Sequence, residues 1–369
     1  MRQKSRAVIC REVGQPVVVE TITVLPPQRS EVMVKLTACG VCHSDLSATN
    51  GTIPMPLPLV LGHEGAGVVV AVGEDVTEFV VGDHVVSSFV SMCGRCRYCQ
   101  TGKPQLCDQA AKATYTLPDG SSRYLDASGQ SLNVFSGCGM MSEYATLHIN
   151  NVVKIDKDMP LDKAALIGCG VMTGVGAAVN TAKVEAGSIA VVFGCGGVGL
   201  SAIQGCAIAG ARTIVAVDMS DAKLEMAKLF GATHLVNAGQ EENVVKTIRK
   251  LTEGGADYAF ECVGHGVIAG QAYGVLAKGG KAVVVGVAPP KDTTTIRTSS
   301  LTFDEKTLMG SYFGSARPRL DFPRLIGLYK GGKLKLDEMI TRVYPVNEAP
   351  QAFADLESGR NARGVIVFD

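Results

Sequence analysis

The apolar pattern of the chain changes character near residue 170. Before that point, β-branched runs are short and closely spaced, at residues 17–19, 32–36, 68–72 and 84–86. Pro26-Pro27, Gly73 and Gly82-Asp83 punctuate them. Short runs separated by turn residues predict an antiparallel, barrel-like domain. Beyond residue 170, strand and helix alternate. Residues 188–193, 213–218, 258–261 and 281–285 read as buried strands, and 197–209 and 221–229 as helices. Continuous apolar strands alternating with helices predict a parallel sheet covered on both faces. The alternation is lost after about 305, where helices are expected at 322–330 and 349–358 and a last strand at 364–368. The fold class is therefore α/β, a β-barrel domain joined to a doubly wound parallel sheet. No internal repeat or low-complexity tract interrupts it.

Composition narrows the function classes. A chain of 369 residues exceeds one ordinary core, so two domains are expected. Hydrophobic residues at 46% and charged residues at 19% are those of a folded protein. Formal net charge is zero and no Lys/Arg stripe forms, which argues against nucleic acid or an anionic membrane as partner. No apolar run approaches the roughly 18 residues of a membrane span. The basic residues 1–6 are not followed by a long apolar segment, so no signal peptide is expected and the location reads as cytoplasmic. In a reducing compartment, the twelve cysteines call for metal binding or burial rather than disulfides. Four fall within fifteen residues, which favours metal for those four. Cys206 and Cys262, in apolar surroundings, read as core packing.

Three constellations carry chemistry. Gly194-Cys195-Gly196-Gly197-Val198-Gly199 follows an apolar strand and opens a helix, and Asp218 ends the next strand about twenty residues on. In that context Gly194 permits the turn, Gly196 admits a pyrophosphate and Gly199 lets helix and strand pack closely. The pyrophosphate would sit on the helix N-terminus. Asp218 would bond the adenosine ribose and repel a 2′-phosphate, so NAD is expected rather than NADP. Cys93, Cys96, Cys99 and Cys107 supply four thiolates from one loop, a closed structural set for zinc or, on residue types alone, for an iron–sulfur cluster. Cys42, His63 and Cys169 form a third set that no spacing rule links. Two thiolates and an imidazole leave one position open, as a catalytic zinc requires, although a His beside a Glu, as at His63-Glu64, is more often a structural pair.

Together Gly40-Val41-Cys42-His43-Ser44-Asp45, Gly62-His63-Glu64-x-x-Gly67, the Cys93–Cys107 cluster, Gly168-Cys169-Gly170 with Thr173-Gly174, the glycine loop, and Arg363-Gly364 resemble the zinc-containing medium-chain alcohol dehydrogenases over essentially the whole length. The likeness is to the long-loop branch, with liver-type, glutathione-dependent formaldehyde and bacterial aryl-alcohol dehydrogenases. It implies a GroES-like catalytic domain in two pieces, 1–170 and 306–369, around a Rossmann domain at 171–305. It implies two zinc ions per chain, the catalytic one on Cys42, His63 and Cys169. Glu64 and Asp45 would stand behind those ligands, with Asp45 orienting His63. His43 and Arg363 would contact the pyrophosphate, Lys223 the ribose beside Asp218, and Thr173 and Val198 the nicotinamide. The implied reaction is NAD-linked oxidation of a small alcohol to its aldehyde, with a Lewis-acid zinc and Ser44 as first proton acceptor. The long stretch between Asp108 and Gly137 goes with homodimers in that branch.

The sequence also departs from the family pattern. Ser47 stands where many liver-type enzymes end the proton relay with a His, so no His-like ionisation is expected from that position. Ile53 and Ala111 stand where the glutathione-dependent branch reads its substrate with an acid and an Arg, which predicts little or no glutathione dependence. Ile53, Phe89 and Phe135, with Met140 or Met141 nearby, fall where the family lines its channel. An apolar, roomy pocket would favour medium-chain, allylic or aromatic alcohols. The rival readings are an S-(hydroxymethyl)glutathione dehydrogenase, a zinc-free quinone reductase and a non-enzymatic crystallin-like protein; the last two should lack the metal ligands present here.

Overall fold

The computed structural model describes residues 2–369, apart from the side chains of residues 111 and 113. The expectation placed on Ala111 therefore lies outside the described residues. Chain contacts divide the protein into two compact units. One comprises Met1–Cys169, Arg317–Gly331 and Leu336–Asp369, and the other Gly170–Ala316 and Gly332–Lys335.

The first unit is built on two mainly antiparallel sheets, each with one parallel pairing, Ile340–Pro345 beside Arg363–Val367 and Leu59–Val60 beside Asn133–Val134. The long strand Glu31–Val41 is the spine of the larger sheet. It pairs antiparallel with Glu64–Val72, Tyr144–His148 and Arg363–Val367. Its apolar face enters a core with Val8, Ile9, Leu36, Val69, Leu147 and Ile366, all buried. Register decides what meets at the end of this spine. Gly40 lies opposite Glu64, and Val41 lies opposite Gly364. Cys42, His63 and Arg363, each one residue beyond those pairs, are thus brought to the same end of three adjacent strands. The smaller sheet runs in the order Tyr124–Leu125, Val18–Val24, Gln3–Cys10, Leu59–Val60, Asn133–Val134.

The second unit holds six parallel strands in the order His234–Asn237, Thr213–Asp218, Ile189–Phe193, Ala256–Glu261, Leu276–Val284, Thr307–Gly310. Both faces are covered, which is why Val191, Val192, Val215 and Val283 are all fully buried. The sixth strand lies past residue 305, where the alternating texture ends, because it pairs with Leu276–Val284 without a long helix before it. Helix Asp221–Leu229 starts on Ser220, whose hydroxyl accepts from the N–H of Lys223, an N-cap that satisfies a free helix donor.

One helix differs from the sequence expectation. Leu161–Ala182 is 22 residues long and apolar enough to span a membrane, although no such run was expected. Its most apolar window is 83% buried inside the protein, so its composition is accounted for by core packing. Asp162 and Lys163 break the apolar run in sequence, and only the continuous helix makes the segment long. The helix has two π-helical stretches, Ile167–Val171 and Ala177–Ala182.

Candidate active site

Cys42, His63, Glu64 and Cys169 present ligand atoms that all lie within 4.8 Å of one another, and all four are buried. Cys42 is the N-cap of the short helix His43–Thr49. His63 precedes the strand Glu64–Val72, and Cys169 lies in the π-helical stretch Ile167–Val171. Glycines make room for this convergence. A Cβ on Gly40 would lie 2.9 Å from Arg363 Nη2, and one on Gly168 would lie 2.9 Å from the carbonyl of Ser87.

The surrounding polar groups fix the imidazole. Asp45 is fully buried, and its Oδ2 lies 3.1 Å from His63 Nδ1. Neither atom makes a well-directed hydrogen bond, so the approach is electrostatic. Asp45 Oδ1 accepts the N–H of Gly62 at 2.8 Å, which ties the carboxylate to the backbone that carries His63. Ser87 braces the other side. Its hydroxyl donates to His63 O at 2.8 Å and accepts from Gly65 N at 2.9 Å. Sequence reasoning did not find Ser87, because a serine at a strand end carries no signal of what it faces. Phe89 and Phe135 pack edge-on against the His63 ring, with centroids 5.7 and 5.2 Å away.

Electrostatics divides the cluster: the contact with Cys42 and burial push the Cys169 thiol well above its usual range. The Cys42 thiol is held well below its usual range by its hydrogen bond with Cys169, helped by His63 and opposed by burial. Burial works to lower the His63 pKa, but Asp45 and Cys42 outweigh it and the net shift is upward. Glu64 is pushed up to about 7 by burial, which the neighbouring Arg363 only partly offsets. Glu64 accepts a hydrogen bond from Arg363 Nη2, while Arg363 Nε is buried with no hydrogen-bond partner among the described residues. Ser44 Oγ is 3.8 Å from Cys42 Sγ. His43 is exposed at the first position of its helix.

The second cluster is nearer the surface. Cys93, Cys96 and Cys99 are half-buried and Cys107 is buried, with sulfurs all within 4.8 Å. The N–H groups of Cys93 and Cys96 point at Cys107 Sγ and Cys93 Sγ, at 3.4 and 3.3 Å. Such amide donors stabilise thiolates. The backbone amides of Cys99 and Asp108 bring Cys96 down to about 6, whereas burial raises Cys99 to about 12. Four thiols this close cannot all ionise without a counter-charge, and a divalent cation supplies one.

In the second unit, Gly194 ends its strand at φ 90°, where other residues are strained. Gly196 has open space on its Cβ side, and a Cβ on Gly199 would collide with the carbonyl of Gly194. Gly197 begins the helix Gly197–Ile208. Asp218 Oδ2 accepts from Cys195 N at 2.8 Å and its Oδ1 from Ser220 N at 3.0 Å, so the carboxylate braces the glycine loop from the next strand. Lys223 is half-buried in the turn of helix that follows. Gly174 lets Thr173 approach the helix that carries Val198, since a Cβ there would lie 2.6 Å from Ala202 N.

Phe89 and Phe135 reach the His63 ring, and Phe135 is buried in the same core as Met140 and Met141, with Phe89 packed against it. Ile53 is half-buried in a loop, its N–H bonded to Ser47 O at 2.9 Å.

Residues 28–157 match the alcohol dehydrogenase GroES-like domain, and residues 197–331 match the zinc-binding dehydrogenase family. The chain is 42% identical over 369 residues to the NDMA-dependent alcohol dehydrogenase of Amycolatopsis methanolica, covering 99% of each. It is 39% identical over 375 residues to S-(hydroxymethyl)glutathione dehydrogenase of Paracoccus denitrificans, covering 99% of this chain and 100% of the relative. Benzyl alcohol dehydrogenase from Acinetobacter calcoaceticus has a related structure, with a TM-score of 0.92, 35% identity and full coverage of both chains.

Proposed function

The chain belongs to the zinc-containing medium-chain alcohol dehydrogenases, and from that premise we propose that it oxidises aromatic, allylic or medium-chain primary alcohols with NAD at a zinc held by Cys42, His63 and Cys169. One observation carries the reading. Two thiols and an imidazole meet in a buried pocket, and Asp45 faces Nδ1 of that imidazole, which leaves Nε2 for a ligand role. The donors suit zinc, and three of them leave a fourth position for substrate. A zinc held by Cys42, His63 and Cys169 would supply Lewis-acid chemistry at an alcohol oxygen, and a bound NAD would supply the hydride acceptor.

The chain's own residues do the rest. Ser44, close to Cys42, takes the hydroxyl proton and passes it outward; with Ser47 in place of a His, the relay ends without an imidazole. Phe89 and Phe135 keep water from the imidazole and offer ring edges to an apolar substrate. Glu64, held by Arg363, is the reserve carboxylate of the cluster. Cys93, Cys96, Cys99 and Cys107 hold a second, structural zinc. Gly194, Gly196, Gly197 and Gly199 would receive the pyrophosphate, Asp218 and Lys223 the adenosine ribose, and Thr173 and Val198 the nicotinamide, with Asp218 selecting NAD over NADP. A cytoplasmic homodimer completes the reading, the dimer on the long stretch between Asp108 and Gly137.

The relative of Paracoccus denitrificans keeps glutathione chemistry as the alternative. The uncharged Ile53 argues against it. A substrate panel with NAD, scored by kcat/KM, tests both. Benzyl and cinnamyl alcohols should exceed ethanol at least tenfold, about the discrimination a few apolar contacts give. A strong rise in formaldehyde oxidation on adding glutathione, or a preference for ethanol, would overturn this substrate assignment.

A further inference from the structure

Ser311 follows the last parallel strand, Thr307–Gly310, and its N–H bonds to Val284 O at 2.9 Å, at the carboxyl end of the neighbouring strand. The chain then does something unusual. Phe313, Gly314 and Ser315 have φ of 54°, 62° and 50°, three left-handed residues in succession. Gly314 adopts this freely, but Phe313 and Ser315 carry side chains that disfavour it. Such a conformation persists only where the surroundings over-determine it, and it gathers at ligand sites.

The surroundings here are specific. Thr181 Oγ1 lies 2.8 Å from Ser311 Oγ and 2.8 Å from Ser315 Oγ, so one hydroxyl ties both ends of the turn. Asn180 Nδ2 donates to Gly314 O at 3.3 Å. Phe313 is buried, and a Cβ on Gly314 would lie 2.8 Å from Gly176 Cα and 2.8 Å from Thr173 O. Asn180 and Thr181 both belong to the π-helical stretch Ala177–Ala182, a departure that recurs at functional sites.

Topology says which part of a cofactor this turn faces. A dinucleotide lies across the carboxyl ends of such a sheet, with its pyrophosphate at the first βα turn. Asp218 and the adenosine side lie on one flank of strand Ile189–Phe193. Strands Ala256–Glu261, Leu276–Val284 and Thr307–Gly310 lie on the other, which leaves that flank to the nicotinamide half.

We infer that Thr181 is a positioning residue: through Ser311 and Ser315 its hydroxyl holds the left-handed Phe313–Ser315 turn in the shape that receives the nicotinamide half of the cofactor. The inference rests on the nucleotide-binding reading of this unit. Thr181→Val keeps the shape of the side chain and removes the hydroxyl. Binding of NAD is compared with binding of ADP-ribose, which lacks nicotinamide. The variant should weaken NAD roughly five- to tenfold, as expected for one or two lost hydrogen bonds. ADP-ribose affinity should stay within about twofold of the parent, and Thr181→Ser should restore NAD binding. Equal weakening of both ligands, or no change in either, overturns the inference. If Thr181→Val does not fold, Ser315→Ala takes its place with the same required divergence. Failure of the parent protein to bind ADP-ribose at all would instead remove the nucleotide reading on which the inference stands.

Discussion

Cys93, Cys96, Cys99 and Cys107 arise from one stretch of chain, whereas Cys42, His63 and Cys169 arise from three separate segments. The first cluster could nearly form in a peptide. Its turns are local, its N–H groups reach its own sulfurs, and three of its cysteines remain half-exposed. The second exists only after strand register has brought Val41, Glu64 and Gly364 to one end of a sheet. Locality suits a closed set of four thiolates, which ties a loop and leaves no position for a reactant. Long-range assembly suits an open set, because burial, a braced imidazole and aromatic walls all come from elements that the fold must supply. The contrast teaches that the cluster easier to see in a sequence is the one with less chemistry to do.

Three substitutions press on this contrast. Cys169→Ser should lower kcat/KM by roughly a thousandfold or more, since Lewis-acid stabilisation is worth several kcal/mol. Metal analysis should show one zinc per chain instead of two, with little change in Tm. Normal turnover in that variant would remove Cys169 from the catalytic set. Asp45→Asn keeps the shape and removes the charge facing His63. Loss of such a supporting carboxylate costs about 10–100-fold in activity or metal affinity. The two centres should respond differently, so only the buried one should lose zinc more readily to a chelator. Equal loss from both would mean that Asp45 acts on the fold as a whole. Cys99→Ser should have the smallest effect on turnover, within about twofold per folded molecule, because a closed thiolate shell takes no part in the chemistry. Its signature is a lower Tm and one missing zinc. A folded, inactive Cys99→Ser protein would blur the division between the two clusters.

The legible parts of the sequence were the periodic and the local. Thr213–Asp218 and Asp221–Leu229 emerged with the bounds read from the apolar pattern, and Ile189–Phe193 within one residue of them. Continuous β-branched runs leave little choice when both sheet faces are buried. Helix Leu161–Ala182 was hidden because its glycines at 168, 170, 174 and 176 depress helix propensity. Packing overrides that penalty, since several of those positions touch neighbouring backbone where no side chain fits. Cys42, His63 and Cys169 could be proposed only through family resemblance, as register is not written in any one segment. Met140 and Met141 are buried and pack against Gly65 and Gly62, a contact without sequence signature.

Asp218 carries a consequence for how this enzyme could change over generations. The carboxylate that would exclude a 2′-phosphate also accepts the N–H of Cys195, a fully buried residue in the middle of the glycine loop. Removing it to admit a phosphorylated cofactor leaves that amide without its acceptor, at a cost of about 1–3 kcal/mol. On the role proposed for Asp218, a lineage moving toward a 2′-phosphorylated cofactor is pushed to repair the loop before, or together with, this carboxylate. Under that proposal Asp218 stands under two selections at once, and a single-step switch of cofactor is the less accessible evolutionary path.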